Sequence, residues 1–160
     1  MSAGIQFDEG WSRRVDAIYM TPDVAVQRRA VLRMLAPQPG ERILDIGCGP
    51  GFLVRELAVA LGDSGAVRGM DVSEAMLEIA RRRCADLPET DFLLGDAVRL
   101  PYADGAFDAA VSVQVFEYID NVVAAIGEMS RVLRPGGRAV VMATDWDSVV
   151  WQAGNRDRMA

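Results

Sequence analysis

Residues 43–51 have the sequence ILDIGCGPG, in which an apolar run containing Asp45 is followed by glycines at positions 47, 49 and 51. The run Arg42–Ile46 predicts a short buried strand, and Phe52–Leu61 carries apolar residues at helical spacing. Glycine accepts positive φ and lets a ligand approach the main chain. A turn that leads into a helix also leaves backbone N–H groups unpaired. The stretch therefore predicts a strand, a ligand-holding turn and a helix in succession.

The rest of the chain repeats this alternation. Further strands are predicted at Ala66–Met70, Asp91–Leu94, Ala109–Val115 and Arg138–Ala143. Further helices are predicted at Glu74–Cys84, with Ser73 as its N-cap, and at Val122–Leu133. Apolar strands that alternate with helices are typical of a parallel sheet covered on both faces. We therefore predict an α/β protein with a doubly wound, mostly parallel sheet and helices on both faces.

In a doubly wound sheet the ligand lies at the carboxyl ends of the strands. Polar or glycine-rich segments follow four of the predicted strands, at residues 45–51, 71–73, 95–97 and 114–118. This coincidence predicts one binding site formed by four loops.

The composition limits the classes of function. The chain has 160 residues, which suits one domain, and its net charge of -6 disfavours nucleic acid as a partner. No apolar run is long enough for a membrane span, and residues 1–14 lack the apolar core of a signal peptide. Two cysteines do not make a disulfide framework, so a cytoplasmic location is expected. The absence of histidine removes Ser/His and Cys/His catalysis and histidine ligation, and no metal site is predicted.

The glycine spacing separates two ligand classes. Dinucleotide-binding loops prefer G-x-G-x-x-G, with the pyrophosphate at the helix N-terminus. Here the spacing is G-x-G-x-G, and Phe52 occupies the position of the third dinucleotide glycine. The negative charge of Asp45 disfavours a pyrophosphate and suits an ammonium or sulfonium group. An NAD(P)-dependent oxidoreductase is the less favoured alternative, since the chain has no lysine for a tyrosine–lysine catalytic pair.

The segment LDIGCGPG resembles the signature loop of class I S-adenosylmethionine-dependent methyltransferases. Four later segments resemble motifs of the same family in order and spacing: GMDVSEAMLEIAR, LLGDAVRLPYADGAFD, FDAAVSVQVFEYIDN and EMSRVLRPGGRAVV. The match covers roughly Pro39 to Thr144 and looks most like the small-molecule branch, such as the ubiquinone and menaquinone methyltransferases. It implies a Rossmann-like sheet of strand order 3-2-1-4-5, S-adenosyl-L-methionine as cofactor, and a small-molecule methyl acceptor.

The resemblance also implies roles for residues in the second and third loops. Asp71 is expected to bind the ribose hydroxyls of the cofactor. Val72 and Met76 are expected to contact the adenine face, although Met76 alternatively packs in the core. Asp96 and the backbone of Ala97 are expected to bind the adenine edge.

In the first loop, Asp45 is expected to orient the glycines and to meet the methionine ammonium group, directly or through water. The loop residues expected at the cofactor are Gly47, Cys48, Gly49 and Gly51. Gln114, at the end of the fourth strand, either holds the methionine end or faces the acceptor.

No catalytic residue is predicted. Glu117 and Tyr118 either touch the acceptor, with Glu117 as a general base, or belong to a connecting turn. The segment Arg81–Arg83 is interpreted as a solvated helix end, where cations stabilise the helix dipole. Three residues of the N-terminal segment either fold over the cofactor as a lid, as the resemblance implies, or only pack: Trp11, Tyr19 and Arg28.

The chain is divided into three segments. Residues 1–38 are predicted to be a helical lid, residues 39–144 the S-adenosylmethionine-binding domain, and residues 145–160 the start of a substrate-side region. Because the family usually continues past the fifth strand, we expect an N-terminal portion of a longer protein or a short variant, with that strand as an exposed edge. Asp145, Trp146 and Asp147 are acceptor candidates or part of a capped loop. A cofactor-binding module or fragment with impaired catalysis is the remaining alternative.

Overall fold

The computed structural model describes residue 14 and residues 16–144, so Trp11 and the acceptor candidates at 145–147 lie outside the described residues. The strands are β1 (Arg42–Ile46), β2 (Ala66–Asp71), β3 (Thr90–Leu94), β4 (Phe107–Val113) and β5 (Leu133–Met142). The helices are α1 (Pro22–Leu35), α2 (Phe52–Leu61), α3 (Glu74–Arg83) and α4 (Val122–Val132). Residues 16–20, a helical turn and the residue after it, precede α1 and are called the N-terminal turn below.

The five strands form one parallel sheet in the order β3-β2-β1-β4-β5. The central strand β1 pairs on one side with β2 and on the other with β4, so that Ile43 lies beside both Val67 and Ala109. The order reverses beside β1, which creates the switch point where ligands bind in such sheets. The predicted doubly wound fold and strand order are confirmed.

Alternate residues of the strands pack into two separate apolar cores because successive side chains of a strand point to opposite faces. On one face, α1, α2 and α3 cover the sheet, and the core includes Val31, Ile43, Leu57, Val67 and Leu77. On the other face, α4 covers the sheet, and the core includes Leu44, Met70, Phe107, Ala110 and Met129. The helices therefore cover both faces of the sheet, as the apolar strands indicated.

Most predicted boundaries lie within one residue of the structure, and the larger errors are in β4 and β5; β4 also begins at Phe107 instead of Ala109. The fourth strand ends at Val113 instead of Val115 because Gln114 has a left-handed backbone, with φ of 57°. The fifth strand begins at Leu133 instead of Arg138, since Leu133 already pairs with Phe107. The intervening Pro-Gly-Gly segment therefore lies within the strand, where the register against β4 shifts between Phe107 and Ala109.

The helix starts follow local rules. Ser73 Oγ accepts a hydrogen bond from the Met76 N–H at 3.4 Å, which confirms the predicted cap of α3. Asn121 is the N-cap of α4, and its Oδ1 accepts a hydrogen bond from the Ala124 N–H at 3.1 Å. Among residues 16–144, no helix has both the length and the apolar character that crossing a membrane requires.

Candidate functional site

The glycine loop after β1 is bonded to the end of β2. The N–H groups of Gly47 and Cys48 both donate to the carbonyl oxygen of Met70, at 2.7 and 2.9 Å. Gly47 has φ of 75°, and a Cβ built on it would lie 2.2 Å from Cγ2 of Val115. Only glycine therefore fits at position 47, both for its backbone angle and for the space beside it.

Asp71 joins the first loop to the second. Its Oδ2 accepts from the Gly49 N–H at 2.8 Å, and its Oδ1 accepts from the Ser73 N–H at 2.9 Å. Each carboxylate oxygen can accept more than one hydrogen bond, so both keep capacity for a ligand hydroxyl group. Asp71 is thus a fixed acceptor at the carboxyl edge of the sheet.

A first cavity of about 490 Å³, called cavity A, opens between the second, third and fourth loops. Its lining includes four of the residues predicted for the nucleoside: Asp71, Val72, Asp96 and Ala97. The side chain of Val72 is 74% exposed, whereas Ala97 is buried. Met76 lines neither this cavity nor the second one, and it is partly buried on α3.

A second cavity of about 400 Å³, called cavity B, lies on the other side of the glycine loop. Its lining includes Asp45 and Cys48 from the loop, and Tyr19 and Arg28 from the N-terminal region. Asp45 is only 2% exposed, and its Oδ2 has no hydrogen-bond partner among the described residues. Burial, with a smaller contribution from the charge of Asp71, raises the pKa of Asp45 to about 8. A buried acceptor without a donor suits a cationic ligand group.

Cavities A and B share three lining residues, Gly47, Gln114 and Tyr118, which we call the junction. The left-handed Gln114 donates its backbone N–H to the Met142 carbonyl at 2.7 Å, and its Oε1 accepts from the Thr144 hydroxyl at 2.6 Å. Non-glycine residues rarely adopt this backbone conformation, and those that do cluster at functional sites.

The N-terminal turn lies against the glycine loop and is held by two arginines. The ring of Tyr19 stacks on Phe52 at 5.8 Å between centroids, and Arg28 donates to the Tyr19 carbonyl at 2.5 Å. The guanidinium of Arg83 lies 3.5 Å from the Phe52 ring centroid and donates to Asp16 at 2.5 Å. These contacts bring Tyr19 and Arg28 to the wall of cavity B.

The interpretation of Arg81–Arg83 as a solvated helix end was wrong for Arg83. Its side chain is 18% exposed, and it also donates to the Pro50 carbonyl at 2.8 Å. Arg81, in contrast, is 43% exposed and pairs with Glu74 on its own helix. No local signal distinguishes the two arginines, because the partners of Arg83 lie 33 and 67 residues away in the chain.

The remaining candidates have different surroundings. Tyr118 is 71% exposed at the junction. Glu117 lines neither cavity: its Oε1 accepts weakly from the Thr144 N–H at 3.5 Å, and its Oε2 is buried without a partner in the described part of the chain. Cys48 is buried, and burial raises the pKa of its thiol, so it is not a nucleophile. Within residue 14 and residues 16–144, no group of three or more His, Cys, Asp or Glu side chains could hold a metal ion.

The comparisons with known proteins agree with this geometry. Residues 44–141 match the family model described as a methyltransferase domain. An uncharacterised 37.1 kDa protein of transposon TN4556 from Streptomyces fradiae is 42% identical over 84% of this chain and 39% of its own length. The demethylmenaquinone methyltransferase of Staphylococcus aureus is 34% identical over 74% of this chain and 49% of its own length.

Among solved structures, the [4+2]-cyclase SpnF is 33% identical and superimposes with a TM-score of 0.69 over 74% of this chain and 44% of that chain. The chain thus spans half or less of the length of these relatives. The family model covers most of the described sheet, including the loops that follow β1 and β2. This chain belongs to the family of class I S-adenosylmethionine-dependent methyltransferases.

Proposed function

We propose that this chain binds S-adenosyl-L-methionine across cavities A and B and transfers its methyl group to a small-molecule acceptor at the junction. One observation carries the proposal: Asp45, a buried carboxyl group whose Oδ2 has no partner among the described residues, and the fixed acceptor Asp71 line the two cavities that meet at the glycine loop. The cofactor has an ammonium group at one end and ribose hydroxyls toward the other, so the two carboxylates fit it.

Cavity A suits the nucleoside part. Asp71 would accept the ribose hydroxyl groups, and Asp96 with the Ala97 backbone would bind the adenine edge. Val72, exposed beside them, would cover the adenine face. Met76 lines neither cavity, so its position favours the packing alternative.

Cavity B suits the amino-acid part. Asp45 would bind the ammonium group, and the backbone of Gly47, Cys48 and Gly49 would contact the methionine chain. A pyrophosphate fits poorly, because the N–H groups of Gly47, Cys48 and Gly49 already donate to the Met70 carbonyl and to Asp71 and are not free to bind phosphate oxygens. Gly51 would have a structural role. It is the N-cap of α2 with φ of 79°, and a Cβ built on it would lie 2.8 Å from the Cβ of Ala80.

When bound, the cofactor supplies a methyl group attached to a sulfonium. The methyl carbon would accept an electron pair from the acceptor, and the electron pair of the broken S–C bond would remain on sulfur. The chain's own work is to orient the two reactants and exclude water. The N-terminal turn would act as the lid of residues 1–38, and residues 39–144 as the cofactor domain. We assign no general base, since Glu117 lines neither cavity, and a hydroxyl acceptor would release its proton to solvent.

The class of the methyl acceptor and the cellular location of the protein are also proposals. Similarity to a demethylmenaquinone methyltransferase supports a small-molecule acceptor. SpnF is a cyclase on the same fold, so the proposal depends on the site residues, not on the fold. The two buried free cysteines support a reducing, cytoplasmic location.

Calorimetry with S-adenosylhomocysteine tests the cofactor site. Asp71→Ala should weaken binding by at least about tenfold, because the ribose loses its acceptor and the Gly49 and Ser73 N–H groups lose theirs. Asp63→Ala, an exposed aspartate in the turn after α2, is the matched control and should bind normally. Unchanged affinity in Asp71→Ala, or stabilisation of the wild type by NADH but not by S-adenosylhomocysteine, would refute the assignment.

A further inference from the structure

The two edges of the sheet differ in how their outward backbone groups are bonded. Glu89 and Gly95 bond to β2 through their backbones, so by the alternation of a strand Phe92 points its own N–H and C=O away from β2. The Phe92 N–H donates to Asp91 Oδ1 at 2.9 Å, and the Phe92 carbonyl accepts from Arg81 at 3.4 Å. Side chains therefore occupy the β3 edge, which is a common protection against pairing with another strand.

The β5 edge has no such cover in the described part of the chain. The Met142 carbonyl accepts from the Gln114 N–H at 2.7 Å, so Met142 points its backbone groups toward β4. The alternate residues Ala139 and Val141 then point theirs outward. Among residues 16–144, β5 pairs only with β4, and these outward groups are available to a further strand.

An apolar surface continues from this edge toward α4. Ala139 lies beside Ala110, which packs in the core that α4 covers, so Ala139 and Val141 point to the same face of the sheet as this helix. The side chain of Val141 is 44% exposed, whereas Val140, on the opposite face, is buried. The outer edge of the sheet therefore presents small or branched apolar side chains next to unpaired backbone groups.

The bonding of α4 shows which of its flanks lies toward the β5 edge. On one flank, Glu128 accepts from the Leu100 N–H at 2.7 Å and Arg131 donates to the Leu100 carbonyl at 3.0 Å, so this flank faces the loop after β3. Val122 and Ile126 lie at helical spacing on the other flank, and Ile126 is 53% exposed. The exposed positions 122, 123, 126, 127 and 130 carry no charge, so an uncharged surface runs from the β5 edge onto α4.

We propose that β5 pairs antiparallel with β5 of a second copy of this chain, about a two-fold axis at Val140. In this register Ala139 lies opposite Val141 of the second copy, and the two such pairs exchange about four backbone hydrogen bonds. The α4 helices then lie on the same face of a continuous sheet, with their apolar flanks toward each other.

A second copy suits this edge for two reasons. An antiparallel edge is complementary to itself, and the uncharged surface lets two chains of net charge -6 meet where their repulsion is least. The assembly also closes at two copies, because the β3 edges that would remain are capped by Asp91 and Arg81. The inference does not depend on the proposed function, since none of these residues is assigned to the cofactor.

Sedimentation equilibrium on the 160-residue chain tests the oligomeric state. The wild type should have twice the mass of one chain. Val141→Lys places two like charges beside the two-fold axis, so it should raise the dimer dissociation constant at least about tenfold while the circular dichroism spectrum stays that of the wild type. Leu93→Lys is the matched control, because Leu93 is 41% exposed on the capped β3 edge, and it should leave the dimer intact.

A cysteine pair tests the register independently. Opposite residues that exchange both hydrogen bonds have Cα atoms about 5.5 Å apart, which a disulfide can span. An oxidised mixture of Ala139→Cys and Val141→Cys should therefore form a covalent dimer, whereas either variant alone should not; the native Cys48 and Cys84 are buried. A monomeric wild type, open assemblies larger than a dimer, an unchanged dissociation constant in Val141→Lys, or no crosslinking in the mixture would each overturn the inference.

Discussion

Protonation of Asp45 should control the affinity for the cofactor. The carboxyl group is 2% exposed and Oδ2 lacks a partner among the described residues, so burial raises its pKa to about 8, with the charge of Asp71 as the smaller cause. The other titratable groups beside it, Tyr19 and Cys48, also have raised pKa values and stay neutral near pH 7. In the ligand-free chain Asp45 therefore carries a proton at neutral pH.

The sign and size of the effect follow from this shift. An ammonium group binds the ionised carboxylate, so below about pH 8 binding must release a proton, and affinity falls as pH falls. Between about pH 8 and about pH 6 the ionised fraction drops from about one half to about one hundredth, which corresponds to about a fifty-fold loss of affinity. The loss approaches about tenfold, or about 1.4 kcal/mol, for each pH unit.

Calorimetry with S-adenosylhomocysteine at three pH values, in two buffers of different ionisation enthalpy, measures both the affinity and the proton released. Asp45→Asn is the matched variant, because the amide has nearly the same shape and does not titrate. It should bind more weakly at pH 8 and show a flat pH profile. A flat profile in the wild type, or binding without proton release at pH 7, would show that Asp45 does not meet the ammonium group.

Two further predictions concern the loop and its cover. Gly47→Ala should abolish measurable binding of S-adenosylhomocysteine, because its Cβ would lie 2.2 Å from Val115 Cγ2. Gly62→Ala is the control: it has a positive φ with open space around it, so it should lose about 1–3 kcal/mol of stability from its backbone angles and bind normally in calorimetry. Arg83→Gln should accelerate amide hydrogen exchange in the N-terminal turn, because it removes the contacts of Arg83 to Asp16 and the Phe52 ring. The control Arg82→Gln changes an exposed side chain and should leave the exchange rate of the turn unchanged. Equal binding by both glycine variants, or equal exchange in both arginine variants, would contradict these assignments.

The sheet could be predicted from sequence because its signals are local. Apolar runs such as Arg42–Ile46, helical spacing in Phe52–Leu61 and the cap at Ser73 depend on residues within a few positions of one another. The boundary errors at Gln114 and Leu133 arose where this locality fails. The left-handed turn of Gln114 and the early pairing of Leu133 are maintained by hydrogen bonds and register between β4 and β5.

The sequence was sufficient for the parallel sheet, the glycine turn and the family, since periodicity and motif spacing are properties of the chain itself. Tertiary structure alone determined the burial that raises the pKa of Asp45, the left-handed backbone of Gln114 and the burial of Arg83. Each of these depends on which distant groups surround a side chain and on how much water they exclude. Neighbours such as Asp16 and Arg83, or Gln114 and Thr144, meet only after the strands have assembled.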